Sequence, residues 1–171
     1  ISVGIFNTEK NEPEFRIKSF YNDDENEILK EFSNLLHKHY NTSNRLLCGH
    51  NIKEFDIPYI ARRLLIQGKP LPKILNLMGK KPWEVPHLDT LELWKFGDYK
   101  HFTSLKLLTE ILGIDSPKDD IDGSQVRSVY YEEKNLERIV KYCEKDVIAV
   151  AQVVLKLASK PLLKSEQITY T

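Results

Sequence analysis

Gly49-His50-Asn51-Ile52-Lys53-Glu54-Phe55-Asp56-Ile57-Pro58 is the stretch on which the fold class is decided. Ahead of it, Arg45-Leu46-Leu47-Cys48-Gly49-His50 is a short, mostly apolar run of strand character. Behind it, Pro58 suits the first turn of a helix carrying Ile60, Leu64 and Leu65. Strand, loop and helix in that order form the unit of an α/β sheet, whose ligands lie beyond the carboxyl ends of the strands. Asp56 stands at that place. A carboxylate there can hold a divalent cation, and it can equally cap the helix ahead of Pro58. The segment alone leaves both readings open.

Upstream, Ile1-Ser2-Val3-Gly4-Ile5-Phe6 and Glu14-Phe15-Arg16-Ile17-Lys18-Ser19-Phe20-Tyr21 alternate in polarity around a turn at Glu9-Lys10-Asn11-Glu12-Pro13, which predicts a β-hairpin. The acidic run Asp23-Asp24-Glu25 suits a helix N-terminus, and Ile28, Leu29, Phe32, Leu35, Leu36 and Tyr40 recur on one face of the helix it would start. Downstream, a connection rich in proline and lysine (68–86) leads to His87-Leu88-Asp89-Thr90-Leu91-Glu92-Leu93-Trp94, whose secondary structure the pattern leaves open. Ser104 is placed to cap a helix with Leu105, Leu108, Ile111 and Leu112 inward, ended by Gly113. The strongest period is the last: Leu136, Val140, Cys143, Val147, Val150, Val154 and Leu157 fall four and three apart, a core-facing stripe on a helix over 135–157. A hairpin followed by alternating helices and strands predicts an α/β fold, a mixed sheet covered by helices.

The chain has 171 residues, 41% of them hydrophobic, enough for one domain with a real core; a single domain over 1–171 is expected. Lys plus Arg and Asp plus Glu balance at 25 each, so any nucleic-acid reading must rest on a local site rather than on an overall field. Cys48 and Cys143 stand far apart, which argues against a zinc cluster or a disulfide framework and fits a cytoplasmic protein. His37 and His39 lack a third ligand for zinc. No apolar run approaches the roughly 20 residues of a membrane span.

A second place that chemistry can explain is Tyr142-Cys143-Glu144-Lys145-Asp146. Tyr142 and Asp146 are one helical turn apart and share a face beside the apolar stripe. An aspartate flanked by Ile139 and Val150 in helical projection is costly unless solvated, paired or bound to a metal. The plain alternative is an exposed helical Asp neutralised by neighbouring lysines, with Tyr142 a boundary aromatic. Between the two places, Trp94, Phe96, Tyr99 and Phe102 interleave with Lys95, Lys100 and His101, a mixture that suits single-stranded nucleic acid. Aromatic residues at such spacing are more often core.

Taken together, Asn51, three residues, Phe55-Asp56, and then Tyr142, three residues, Asp146 resemble the second and third motifs of the DEDD exonucleases of the proofreading type, in the branch whose third motif carries tyrosine. His87-Leu88-Asp89-Thr90-Leu91-Glu92-Leu93 and Ser104-Leu105 are similar to the same family, most closely to stand-alone exonucleases related to the exonuclease domain of family B DNA polymerases. The resemblance covers nearly the whole chain. It implies a ribonuclease H-like fold and a two-metal 3′-to-5′ exonuclease acting on single-stranded or frayed DNA, with RNA also open, to release nucleoside 5′-monophosphates.

By that resemblance Asp56 and Asp146 are ligands of two Mg²⁺ or Mn²⁺ ions about 3.5 to 4 Å apart. Tyr142 orients or helps deprotonate the attacking water. Asn51, Phe55, Trp94, Phe102 and Ser104 meet the substrate. The family's first motif, Asp-x-Glu on the central strand, has no counterpart here: Asp23-x-Glu25 matches the letters but lies in a polar helix start. The chain is therefore expected to lack the first, central strand of the sheet, to begin inside a longer protein, and by itself to be inactive or nearly so. Two other functions stay open: a catalytically inactive ribonuclease H-like module that binds nucleic acid or protein, and an endonuclease or phosphodiesterase on the same acidic site.

Overall fold

In the computed structural model, residues 1–7, 14–42, 44–98, 100–114 and 120–171 are described. The expected turn over 9–13 and Tyr99 lie outside the described residues. Backbone contacts group the chain into two compact units, Ile1–Tyr21 with Thr103–Thr171, and Asn22–Phe102.

In the first unit the predicted hairpin forms from β1 (Ser2–Asn7) and β2 (Glu14–Ser19), antiparallel with Ser2 opposite Ser19 and Asn7 opposite Glu14. The period of two is visible in β2, where Phe15 and Ile17 are buried and Arg16 and Lys18 are exposed. Gly4 is required by packing: a Cβ there would lie 2.1 Å from Cζ of Phe15, whose ring crosses the strand at that point. On the other side of β2 the short β5 (Ile168–Tyr170) adds in parallel, so this sheet has the order β1-β2-β5.

Helix α6 (Leu136–Leu157) packs on this sheet, and also meets α4 (Leu105–Ile111) and α5 (Val126–Tyr131). Its side chain at the cap, Asn135, accepts a hydrogen bond from the Arg138 N–H, and Arg138 in turn pairs with Asp120 and Glu133. The face laid on the core of Phe15, Ile17 and Leu163 is Val147, Ile148, Ala151 and Leu155. That face is turned from the predicted stripe because α6 is covered on more than one side, and Val153 is fully buried as well. Gln152, buried, donates to the Leu163 carbonyl and accepts from the Leu163 N–H, both at 2.9 Å, which ties the segment before β5 to the helix. Ser104 caps α4 as expected, its Oγ accepting from the Leu107 N–H at 3.2 Å. Gly113, at φ +63, closes the helix with hydrogen bonds from its own N–H to the Glu110 carbonyl and from Ile114 to Thr109. Ile111 was expected inward and is exposed, since the helix has only two turns and Leu108 and Ile114 fill the buried side.

In the second unit α1 (Glu25–His39) starts at Asp24, whose carboxylate accepts from the Asn26 N–H at 2.8 Å, and it buries Leu29, Phe32 and Leu36. It meets α2 (Asp56–Ile66), which buries Ile57 and Leu64. The Arg63 guanidinium grips the Glu25 carboxylate at both oxygens and Gln67 adds a third hydrogen bond at 3.1 Å, joining the start of α1 to the end of α2. The strand expected over 45–50 is shorter, β3 (Cys48–Gly49), because it pairs only with the equally short β4 (Leu88–Asp89), in parallel. Directly after β4 comes α3 (Thr90–Lys95). Among the described residues no helix is long and apolar enough to cross a membrane.

His87, buried, holds the entry to this small sheet. The Leu47 N–H donates to its Nδ1 at 3.2 Å, so Nε2 carries the proton and donates to the Ile74 carbonyl at 2.8 Å. Burial pushes its pKa below the ordinary 6.5, keeping the folded imidazole neutral. The unfolded chain then takes up a proton that the folded one refuses, so the stability His87 contributes is complete above the ordinary value of 6.5 and is lost as pH falls below it. Urea midpoints measured from about pH 7 to about pH 5 should fall in the wild type, and fall less in His87→Gln, which does not titrate there.

Candidate functional site

From the end of β3 the backbone turns sharply into α2, and three features of the sequence make that turn. Gly49 is forced by close approach, since a Cβ would lie 2.7 Å from Cβ of Ile52. Asn51 takes the left-handed conformation at φ +62, which Asn tolerates better than most L-residues. The Phe55 N–H then reaches the Asn51 carbonyl at 3.0 Å and the Ile57 N–H reaches Ile52 at 3.1 Å, starting the helix.

What holds the turn in place is Asp89, only 3% exposed, at the end of the neighbouring strand. One carboxylate oxygen accepts from the Asn51 N–H at 2.8 Å and the Leu91 N–H at 3.0 Å, and the other from the Lys53 N–H at 3.2 Å. A buried carboxylate survives without a counter-charge when several backbone donors converge on it. Thr90 beside it donates from Oγ1 to the Gly49 carbonyl at 3.2 Å, which leaves His50 Nδ1 as the donor to Thr90 Oγ1 at 2.9 Å. Lys53 Nζ reaches Glu92 at 2.7 Å. Two strand ends and the first turns of α2 and α3 are thus tied into one corner.

Asp56 is displayed from that corner. It does not cap α2; Phe55 occupies the cap position without a side-chain hydrogen bond, and Asp56 is the first helical residue. A negative charge there is favoured by the helix dipole. Even so its carboxyl is raised above its ordinary range, first by the desolvation of its surroundings and then by the charge of Asp89. Among the described residues no basic side chain pairs with it. A carboxylate with a second negative charge near it and no basic partner suits a divalent cation, which would lower its pKa again.

The remaining predicted residues divide between the two units. Phe55 is exposed and its ring stacks on that of Tyr59, centroids 6.2 Å apart. Trp94 is half-buried on α3 and meets Phe96 edge-on, while Phe102 is exposed with the Lys95 ammonium over its ring at 4.1 Å. Phe96 and Phe102 are therefore not core. All of these belong to the second unit, with Asn51 and Asp56. Ser104, Tyr142 and Asp146 belong to the first. Tyr142 and Asp146 are both half-buried on α6, one turn apart, so Asp146 is not a fully exposed residue, while Tyr142 sits at the boundary of the core. The hydroxyl of Tyr142 faces Gly123, where a Cβ would stand 3.9 Å from it. Among the described residues no group of three or more His, Cys, Asp or Glu is arranged to hold a metal ion.

The functional residue that the sequence reading left without a role is Asp89. Its signal is the cap pattern Asp-Thr-Leu at the start of α3, which accounts for the bond to Leu91 and for neither of the other two.

The family model for the RNase H superfamily matches residues 1–158. The chain belongs to the RNase H superfamily. The mixed α/β fold fits, and membership implies a nucleic-acid nuclease or binding module. Neither the curated proteins nor the solved structures searched contain a match. The corner at Asp56 lies beyond the carboxyl ends of two parallel strands, the position at which open α/β sheets bind ligands.

Asp89→Ala strands three backbone donors and should cost about 3 kcal/mol of stability in urea unfolding. Asp89→Asn retains one acceptor oxygen and should lose less. Amide hydrogen exchange at Asn51 and Lys53 should accelerate more than elsewhere in the second unit, and uniform protection would show that Asp89 does not brace the turn.

Proposed function

We propose that this chain carries part of the catalytic machinery, Asp56, Tyr142 and Asp146 without the Asp-x-Glu pair, of a metal-dependent 3′-to-5′ exonuclease that shortens single-stranded or frayed DNA, RNA also being open, and releases nucleoside 5′-monophosphates. The observation that carries the reading is the braced corner that displays Asp56 without a basic partner, at the mouth of two parallel strands. The spacing Asn51, Phe55, Asp56 and then Tyr142, Asp146 is the reason for preferring stepwise 3′ hydrolysis over endonuclease cleavage.

In this reading Asp56 and Asp146 take divalent cations, Mg²⁺ or Mn²⁺, which supply the positive charge that a phosphodiester needs as it reacts. Tyr142, one turn from Asp146, orients the attacking water by a hydrogen bond. Phe55 and Asn51 receive the terminal nucleotide, and Trp94, Phe102 and Ser104 contact the strand. Stacking on exposed rings is sequence-tolerant, as an exonuclease requires.

One observation favours a second reading, a binding module without catalysis: no cluster of three or more metal-ligating side chains exists among the described residues. Digestion separates the two. The full-length protein with Mg²⁺ or Mn²⁺ should turn 5′-labelled single-stranded DNA into a ladder of stepwise 3′ shortening, and Asp56→Ala and Asp146→Ala should each lower the rate by at least about a thousandfold. Tyr142→Phe should lower it less and leave KM for the strand nearly unchanged. Binding without any ladder supports the module, and a few internal cuts support an endonuclease.

A further inference from the structure

We infer that one face of α2 is a strand-binding stripe, Phe55, Tyr59 and Arg62, which takes the last nucleotides of a single-stranded nucleic acid as it approaches Asp56. The inference rests on the nuclease reading and extends it to two residues, Tyr59 and Arg62, and to the class of contact each one makes.

Positions 55, 59 and 62 are separated by four and three residues, so they fall on one helical face, opposite the buried Ile57 and Leu64. From Phe55 to Arg62 the face runs about 10 Å along the helix. The rings of Phe55 and Tyr59 are nearly parallel, 16° apart, but stay 63% and 56% exposed. Two stacked aromatic faces left in water are a costly arrangement for a core and a ready platform for bases.

Arg62 is exposed, and among the described residues it forms no ion pair. Its neighbour Arg63 marks the contrast: that guanidinium is committed to Glu25 and joins two helices. A free guanidinium one turn beyond an aromatic pair matches a strand whose bases stack on the rings and whose next phosphate meets the charge. Asp56, between Phe55 and Ile57 at the head of the same helix, places the platform beside the candidate reactive carboxylate. The charge favours nucleic acid over an apolar protein segment as the occupant, although Leu65 and Ile66 are exposed farther along the helix.

The test is binding without hydrolysis, in EDTA, of the full-length protein to single-stranded DNA with 2-aminopurine at its 3′ end. The wild type should quench the fluorophore by stacking. Tyr59→Ala should lose most of the quench and weaken binding about tenfold, while Tyr59→Phe keeps both. Arg62→Gln should reduce the slope of log affinity against log salt by about 0.7, the contribution of one phosphate on a single strand. Urea midpoints of the three variants verify the fold. If the wild type binds and Tyr59→Ala binds and quenches equally well, the stripe is not the platform and the nuclease reading stands without it. If the wild type does not bind single strands at all, both are wrong.

Discussion

Three backbone N–H groups converge on the Asp89 carboxylate, and the candidate site depends on that convergence. The turn after β3 leaves the regular backbone at Gly49 and Asn51, so its donors have no ladder or helix to enter. A buried carboxylate at the end of the adjacent parallel strand collects two of them and caps α3 with the same oxygen that meets Asn51. Because β3 and β4 are only two residues long, the hydrogen bonds of Asp89, Thr90 and His87 hold the corner as much as the strand pairing does. The arrangement fixes where α2 begins, and so where Asp56 and the aromatic pair behind it are displayed.

The same carboxylate gives the corner its electrostatics. Asp89 is satisfied by dipoles rather than by a cation, and its charge is still felt by Asp56. The result is a local excess of negative charge in a chain whose total is balanced, with Lys53 turned to Glu92 and Arg63 to Glu25. Lys53 and Arg63 are thus committed elsewhere, while Arg62 is exposed on the helix face.

Elements with a long period could be read from the sequence. The hairpin, α1, the capped α4 and α6 all follow from alternation, caps and three-four spacing. Shorter elements could not be bounded or found that way: the strand expected over 45–50 shrinks to the two residues of β3, and β4 with two residues, β5 with three and α5 with six are too short for any periodicity to show. The turned face of α6 has a different cause, since a helix covered on several sides carries more than one apolar stripe and Gln152 reads as polar although it is spent on Leu163. Asp56, Tyr142 and Asp146 stand out in the sequence because their spacing resembles a motif, whereas Asp89 acts through backbone donors 36 and 38 residues away. Nothing local in a sequence records such a partner. Tyr59 and Arg62 were passed over for a similar reason: an exposed ring and a free guanidinium are distinguished by what fails to cover them.

The central claim is that the braced corner presents Asp56 to a divalent cation. Titrating Mn²⁺ into isotope-labelled full-length protein and following paramagnetic broadening of the amide signals tests it most directly. The account predicts that signals from Asn51 to Ile57 broaden first in the second unit, and that Asp56→Asn removes the effect at the corner while the protein stays folded. Broadening that spares the corner, or that persists unchanged in Asp56→Asn, would contradict it.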